Sequence, residues 1–459
     1  MDAYEIFLDL PVKPGHHHLI GYFSEALAER LRPDEIPIRF VVAATTEDSY
    51  RCEVGVLRGL DHELARKDRL GIFRFKDRKV HGGDAFNVVH LVPTGIGAEI
   101  GGHVGDAGPA ARLLAAVCDR LITHPNVVNA ADLNELPENG IYVEGSVICR
   151  LLMGTIGLQP VRSNRLLVVA QEHRVEKITH YSINTVNAAR AACGYDCAEL
   201  LRLDPPFHMK ASFTESGRAA GRVEHLERLF DLLALRAGQF DAVVLTSVID
   251  YPEDDMLAYY NGPENTVNPW GGVESILTHA VTHVFNLPSA HSPQLAEYKS
   301  YALGVGHPVM AAELISAAFL QCILKGLSRS PRLITDPDAM HNRNVITAAD
   351  ISCVVMPDRC LGLPTLAALQ QAIPVIAVRD ATNRARTDLS LLPWPPGKLL
   401  FAENYLEACG FIAALRSGVA PESLRRPLHR VKTSVVEPVP ESMPMPKSLI
   451  REGALRAGG

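Results

Sequence analysis

Four residues are suited by type and position to move protons: His124, Glu144, His279 and His291. An imidazole titrates near neutrality and a nearby carboxylate tunes it, so a His with a Glu beside it can work as a general acid–base pair. His124 opens the run His124-Pro125-Asn126-Val127-Val128-Asn129 at the end of a strand-like segment, and Glu144 ends the next one in Tyr142-Val143-Glu144-Gly145-Ser146. If those strands are neighbours, His124, Asn126, Asn129 and Glu144 line one edge. The alternative is structural: Asn126 and Asn129 cap a turn, and Glu144 pairs with an arginine such as Arg150 or Arg162. His279 and His283 are four apart on one helical face, the spacing of two metal ligands, with His291 in the turn beyond. Ala280 stands where a zincin places its glutamate, so no metal site is assigned; substrate contact or ordinary packing are the uses expected of these histidines.

A glycine-rich loop, Thr94-Gly95-Ile96-Gly97-Ala98-Glu99-Ile100-Gly101-Gly102, follows the apolar run Phe86 to Val92 and precedes a helix expected from about Pro109 to Leu121. Dense glycines after a buried strand let backbone N–H groups approach an anion, and a helix N-terminus adds partial positive charge. Thr94, Gly95, Gly97, Gly101 and Gly102 are therefore candidate substrate-binding positions, with a purely structural tight turn as the alternative. Ile100 occupies the place of the third glycine of a dinucleotide fingerprint, and no Gly-Lys-Ser/Thr is present. His124 and Asn126 stand at the following strand end where NAD would need an acid, so NAD is not the default and no cofactor is implied. Arg379 and Asn383 lie just beyond the strand Pro374 to Val378, the edge where open α/β sheets collect ligands, and are further substrate-binding candidates. Lys210 and Arg218 offer positive charge to a substrate anion or a solvated face. Ser216 lacks the flanking glycine of a nucleophile elbow, which argues against a serine hydrolase.

Positioning these residues takes a large scaffold. At roughly 150 residues per domain, 459 residues give two or three domains. The patterning predicts an α/β protein: two Rossmann-like lobes with mostly parallel sheets, preceded by a small α+β unit. The expected divisions are residues 1–85, 86–260 with the glycine-rich loop, 261–426 with a helical insertion, and a Pro-rich arm at 427–459. Two helices, Gly272 to Phe285 and Val309 to Leu327, are expected on either side of a Pro-, His- and Ser-rich loop, and a helix over Arg222 to Arg236. His16-His17-His18 reads as an exposed loop. A net charge of -7 leaves no global reason to bind nucleic acid or an anionic membrane. A small anionic metabolite is the expected partner, and a homo-oligomer the expected assembly. Nine cysteines without paired short spacing, and an acid near the start, fit a cytoplasmic protein.

The runs Val92 to Gly102, Thr123 to Asn129 and Tyr142 to Gly145 resemble a bacterial domain-of-unknown-function family, over about Phe86 to Asn383; that resemblance carries no mechanism. Pro374-Val375-Ile376-Ala377-Val378-Arg379-Asp380-Ala381-Thr382 is similar to a strand end of UDP-N-acetylglucosamine 2-epimerases, which hold a nucleotide sugar between two Rossmann-like lobes. The similarity implies a nucleotide-facing Arg379, although Thr365-Leu366-Ala367-Ala368 replaces the glutamate pair of the preceding helix. The function expected is an enzyme, an isomerase, lyase or transferase, acting on an anionic small metabolite. The alternatives are a nucleotide-sugar transferase or epimerase, a non-catalytic metabolite-binding protein, and a metal-dependent hydrolase.

Overall fold

The computed structural model describes all residues except 13–17, 61–69, 79–83, 104, 253–254, 257–258, 261–265, 297–304, 316–317 and 436–459. His16, His17, most of the boundary read at His81-Gly82-Gly83-Asp84, that at Asn261-Gly262-Pro263, and the later prolines of the arm lie outside the described residues. Residues 1–418 form one compact unit, and the described residues 419–435 belong to a second.

The chain is a mixed α/β protein with two principal sheets. One has six strands, every neighbouring pair parallel, in the order Leu399–Ala402, Val375–Val378, Ile351–Pro357, Asn87–His90, Arg120–Thr123, Gly140–Tyr142. Its strands are near-continuous apolar runs such as Val354-Val355-Met356, as expected where helices cover both faces. The helices Gly108–Ala115 and Leu363–Gln371 connect neighbouring strands of this sheet, and Gly145–Leu152 and Tyr405–Arg416 follow its edge strands Gly140–Tyr142 and Leu399–Ala402. The first carries Pro109 in its opening turn, where the missing N–H costs nothing.

The second sheet has ten strands and is mixed rather than mostly parallel. Glu199–Leu203, Leu166–Gln171, Ala242–Asp250 and Ser289–Gln294 are parallel neighbours in that order. An antiparallel meander continues from it through His208–Phe213, Ala219–Glu224, Asp2–Pro11, Ser49–Arg58 and Glu35–Thr45. The amino-terminal strands thus share a sheet with the middle of the chain, so residues 1–85 do not form a sheet of their own. Strand Ala242–Asp250 is forked on one edge: Val243 to Val248 pair with Ser289 to Gln294, while Ile249 and Asp250 pair with Met209 and Lys210.

Several expected elements differ. Ser289–Gln294, expected as loop, is a buried strand: its polar side chains find buried polar partners, and Pro293 is tolerated because the strand is paired on one side only. The helix expected over Arg222 to Arg236 is a strand to Glu224 followed by a helix at Glu227–Leu235. The strand prevails because Gly221 packs under the helix Trp270–Phe285, where an added Cβ would lie 2.5 Å from the Cβ of Val273. Gly272, on that helix, meets the backbone of Ala219 the same way, at 2.4 Å. The expected helix Val309 to Leu327 is broken into Ala311–Leu314 and Gln321–Leu327, with Phe319 at a left-handed φ of 50° between them. No helix among the described residues is long and apolar enough to cross a membrane.

Candidate active site

Three adjacent strands of the parallel sheet deliver site residues at their carboxyl ends, where open α/β sheets leave room for ligands. Asn87–His90 leads to Thr94 and Gly95, Arg120–Thr123 to His124, and Gly140–Tyr142 to Glu144. The helix Trp270–Phe285 adds Glu274 and His279, and the strand Ser289–Gln294 adds His291. All of these line one cavity of about 390 Å³, together with Asn126, Asn129, Arg174, Tyr260, Trp270 and Glu313.

Two His–Glu pairs sit in its wall. His279 Nδ1 lies 2.7 Å from Glu144 Oε1, with both side chains buried. Glu144 also caps the helix Gly145–Leu152: its Oε2 accepts from the Ser146 backbone N–H at 2.9 Å and from the Ser146 hydroxyl, while Thr278 donates to Oε1 at 3.3 Å. Burial pushes the Glu144 carboxyl up, but His279 and the Ser146 donors outweigh it and hold it below the usual carboxylate value. In the second pair, His291 Nδ1 lies 2.9 Å from Glu274 Oε1, and its Nε2 lies 2.8 Å from the Ser247 hydroxyl. Ser247 is fully buried, does not line the cavity, and also donates to Met209 Sδ at 3.1 Å, so it orients the ring instead of presenting a nucleophile. The two pairs are reciprocal: the helix Trp270–Phe285 gives the acid to one and the imidazole to the other.

His124 differs from both. Its Nε2 accepts the Val92 backbone N–H at 3.2 Å, which places the proton on Nδ1, and burial pushes its pKa down to about 4. It is therefore a neutral hydrogen-bond donor at neutral pH. Glu313 accepts from Tyr259 and Tyr260 at 3.2 Å each and from Asn268 at 3.4 Å, closing one side with an aromatic group.

Of the positions singled out from sequence, the structure brings Thr94, Gly95, His124, Asn126, Asn129, Glu144, His279 and His291 to this cavity. Gly97, Gly101 and Gly102 do not line it. Their loop is tied into the protein: Asn126 donates to the carbonyls of Val92 and Gly101 at 3.1 and 2.8 Å, and Gly101 N–H goes to Asp106 Oδ1 at 2.8 Å. Gly102 is required by close approach, since a Cβ there would lie 2.0 Å from the Ala98 carbonyl oxygen. Arg379 and Asn383 follow a strand two places away from Asn87–His90 and face other partners: Arg379 pairs with Glu403 at 2.6 Å and stacks over Phe401, and Asn383 donates to the Asp358 carbonyl at 2.9 Å. His283 is not on the cavity. Among the described residues no cluster of three or more His, Cys, Asp or Glu is arranged to hold a metal ion. Sequence reasoning missed Glu274, Ser247 and Glu313; an acid five residues before His279 on the same helix was the available signal for the first.

The fold and cavity define a mixed α/β protein with paired imidazole–carboxylate groups at the carboxyl edge of a parallel sheet. The chain belongs to the family described as Protein of unknown function (DUF3326), whose model matches residues 87–425. It is 35% identical over 349 residues to an uncharacterized lipoprotein of Synechococcus sp., covering 74% of this chain and 94% of that protein. No solved structure matches. These matches do not include the epimerase similarity of residues 374–382.

Proposed function

We propose that the chain is an enzyme that moves protons on a small anionic metabolite, an isomerase or a lyase, in the cavity between Thr94 and His291. The observation that carries the reading is the presence of two His–Glu pairs, one buried at 2.7 Å and one with a half-buried carboxylate at 2.9 Å, in the wall of one cavity. A carboxylate on one ring nitrogen orients the imidazole and stabilises its protonated form, leaving the other nitrogen to take or give a proton. For Glu144–His279 the free nitrogen is Nε2. His291 is held at both ring nitrogens, by Glu274 and Ser247, so in the second pair it is the Glu274 carboxylate on the cavity wall that can exchange a proton. The His279 imidazole and the Glu274 carboxylate, positioned by His291, can together remove a proton from one position and return it at another, or protonate a leaving group. The neutral His124 supplies a donor for a carbonyl or enolate oxygen, and Arg174 on the cavity wall suits an anionic substrate. Arg379, paired with Glu403 away from the cavity, lends nothing to the nucleotide-sugar alternative. A cytoplasmic location, and homo-oligomers formed through the arm where Val431 and Val435 are exposed, belong to the same proposal.

The test is incubation of the full chain in D₂O with small carboxylates and phosphorylated metabolites, read by mass spectrometry for deuterium on carbon. Uptake into one class, lost in His279→Gln and in His291→Gln, is expected. No uptake into any class, or uptake unchanged in both variants, overturns the proposal.

A further inference from the structure

A second, smaller chamber of about 110 Å³ adjoins the cavity, and Thr94, His124, Ser275 and His279 line both. Its wall is mostly apolar, from Ile38, Phe40, Leu91, Cys149, Met356 and Leu363, but three arginines line it, Arg39, Arg150 and Arg218, of which Arg150 donates to Asn286 Oδ1 at 2.7 Å. Arg39 pairs with Glu5 at 2.8 Å, both nearly buried. Arg218, at the end of the turn before Ala219–Glu224, is 1% exposed and is the largest fully buried side chain. It meets Glu53 through Nη1, yet its Nε and Nη2 have no hydrogen-bond acceptor among the described residues. Glu53 is itself engaged by Ser216 at 2.6 Å.

A buried guanidinium with unmet donors is expensive unless a ligand supplies the oxygens, and the fork of an arginine matches the two oxygens of a carboxylate. The charge balance narrows the class. Arg39 and Arg218 already face two glutamates and Arg150 reaches the Asn286 amide oxygen, so a monoanion adds one charge where a phosphate dianion would add two against a mostly apolar wall. We propose that this chamber is a second subsite that binds a monocarboxylate with a short apolar chain through Arg218, holding it beside His279. The inference builds on the proton-transfer reading, because it places one end of the substrate; the binding itself needs no chemistry.

Titration of the full chain with butyrate, methyl butyrate and inorganic phosphate, followed by saturation-transfer NMR, tests it. Butyrate is expected to bind, the uncharged ester and phosphate to bind at least about tenfold more weakly. Cys149→Leu, which fills the chamber while leaving both ion pairs intact, is expected to weaken butyrate by about tenfold or more, and Arg218→Lys likewise. His291→Gln lies outside the chamber and is expected to bind butyrate as the native chain does, so loss of turnover in that variant with binding retained separates failure of the chemistry from failure of the subsite. Absent butyrate binding, equal binding of the ester, tighter binding of phosphate, or butyrate binding unchanged in Cys149→Leu overturns the proposal.

Discussion

Removing the Glu144 carboxylate tests the buried pair on which the site rests. In Glu144→Ala, His279 keeps its place 9% exposed with no anion at 2.7 Å, and the helix Gly145–Leu152 loses its cap. Breaking a buried pair costs about 3–5 kcal/mol, and a lost cap adds about 1 kcal/mol. Glu144→Gln behaves differently. Its amide oxygen still accepts from Ser146, and its NH₂ donates to His279 Nδ1 once the ring is neutral, so the loss is about 1 kcal/mol. Urea unfolding at neutral pH, followed by circular dichroism, measures both. Equal losses in the two variants would show that packing, not charge, is what Glu144 supplies, and a loss under about 1 kcal/mol in Glu144→Ala would refute the buried pair. The pH dependence gives an independent check. Because the folded carboxyl titrates below 4.5, its stabilisation is fully present above that value and is lost as pH falls through the folded pKa. The gap between native chain and Glu144→Gln is expected to close in acid.

Asp106 has the opposite sign. Burial pushes its carboxyl from 3.8 up to about 7, so stability falls as pH rises between those values, and Asp106→Asn is expected to flatten that part of a melting-temperature profile. Ser247→Ala leaves His291 Nε2 without its partner and is expected to lower stability by about 1–3 kcal/mol in urea titration; combined with His291→Gln, the loss is expected to be less than the sum. Gly102→Ala, with a Cβ 2.0 Å from a carbonyl oxygen, is expected to abolish a cooperative thermal transition. Gly410→Ala, in the open middle of the helix Tyr405–Arg416, is expected to stabilise by about 0.5–1 kcal/mol.

Much of the parallel sheet was legible in sequence because its strands are short, buried, apolar runs followed by turn residues, and the same pattern located Thr94, His124 and Glu144 at strand ends. The family was legible too, from motifs along those loops. The mixed sheet was harder. Its amino-terminal strands pair with residues more than 160 positions later, such as Ala3 with Val223, and no local pattern encodes that. Ser289–Gln294 reads as a loop because its polar side chains are satisfied only by partners brought from elsewhere. Ser247 looks like one residue of an apolar core strand. The glycine-rich loop reads two ways in sequence because glycine is needed as much where protein packs on protein as where a ligand approaches: Gly102 is the first case, while Thr94 and Gly95 line the cavity.

The contact of Gly221 and Gly272 with their neighbours sets how deep the helix Trp270–Phe285 lies on the sheet. Nothing thinner than bare backbone is available, so the helix has only one direction in which substitution can displace it, outward. Glu274 and His279 ride on that helix as teeth on one bar, each meshing with a partner fixed to a different sheet. A single methyl group inserted beneath the bar would open both meshes together, and the lesion would read as the simultaneous loss of two centres although every residue in them was native.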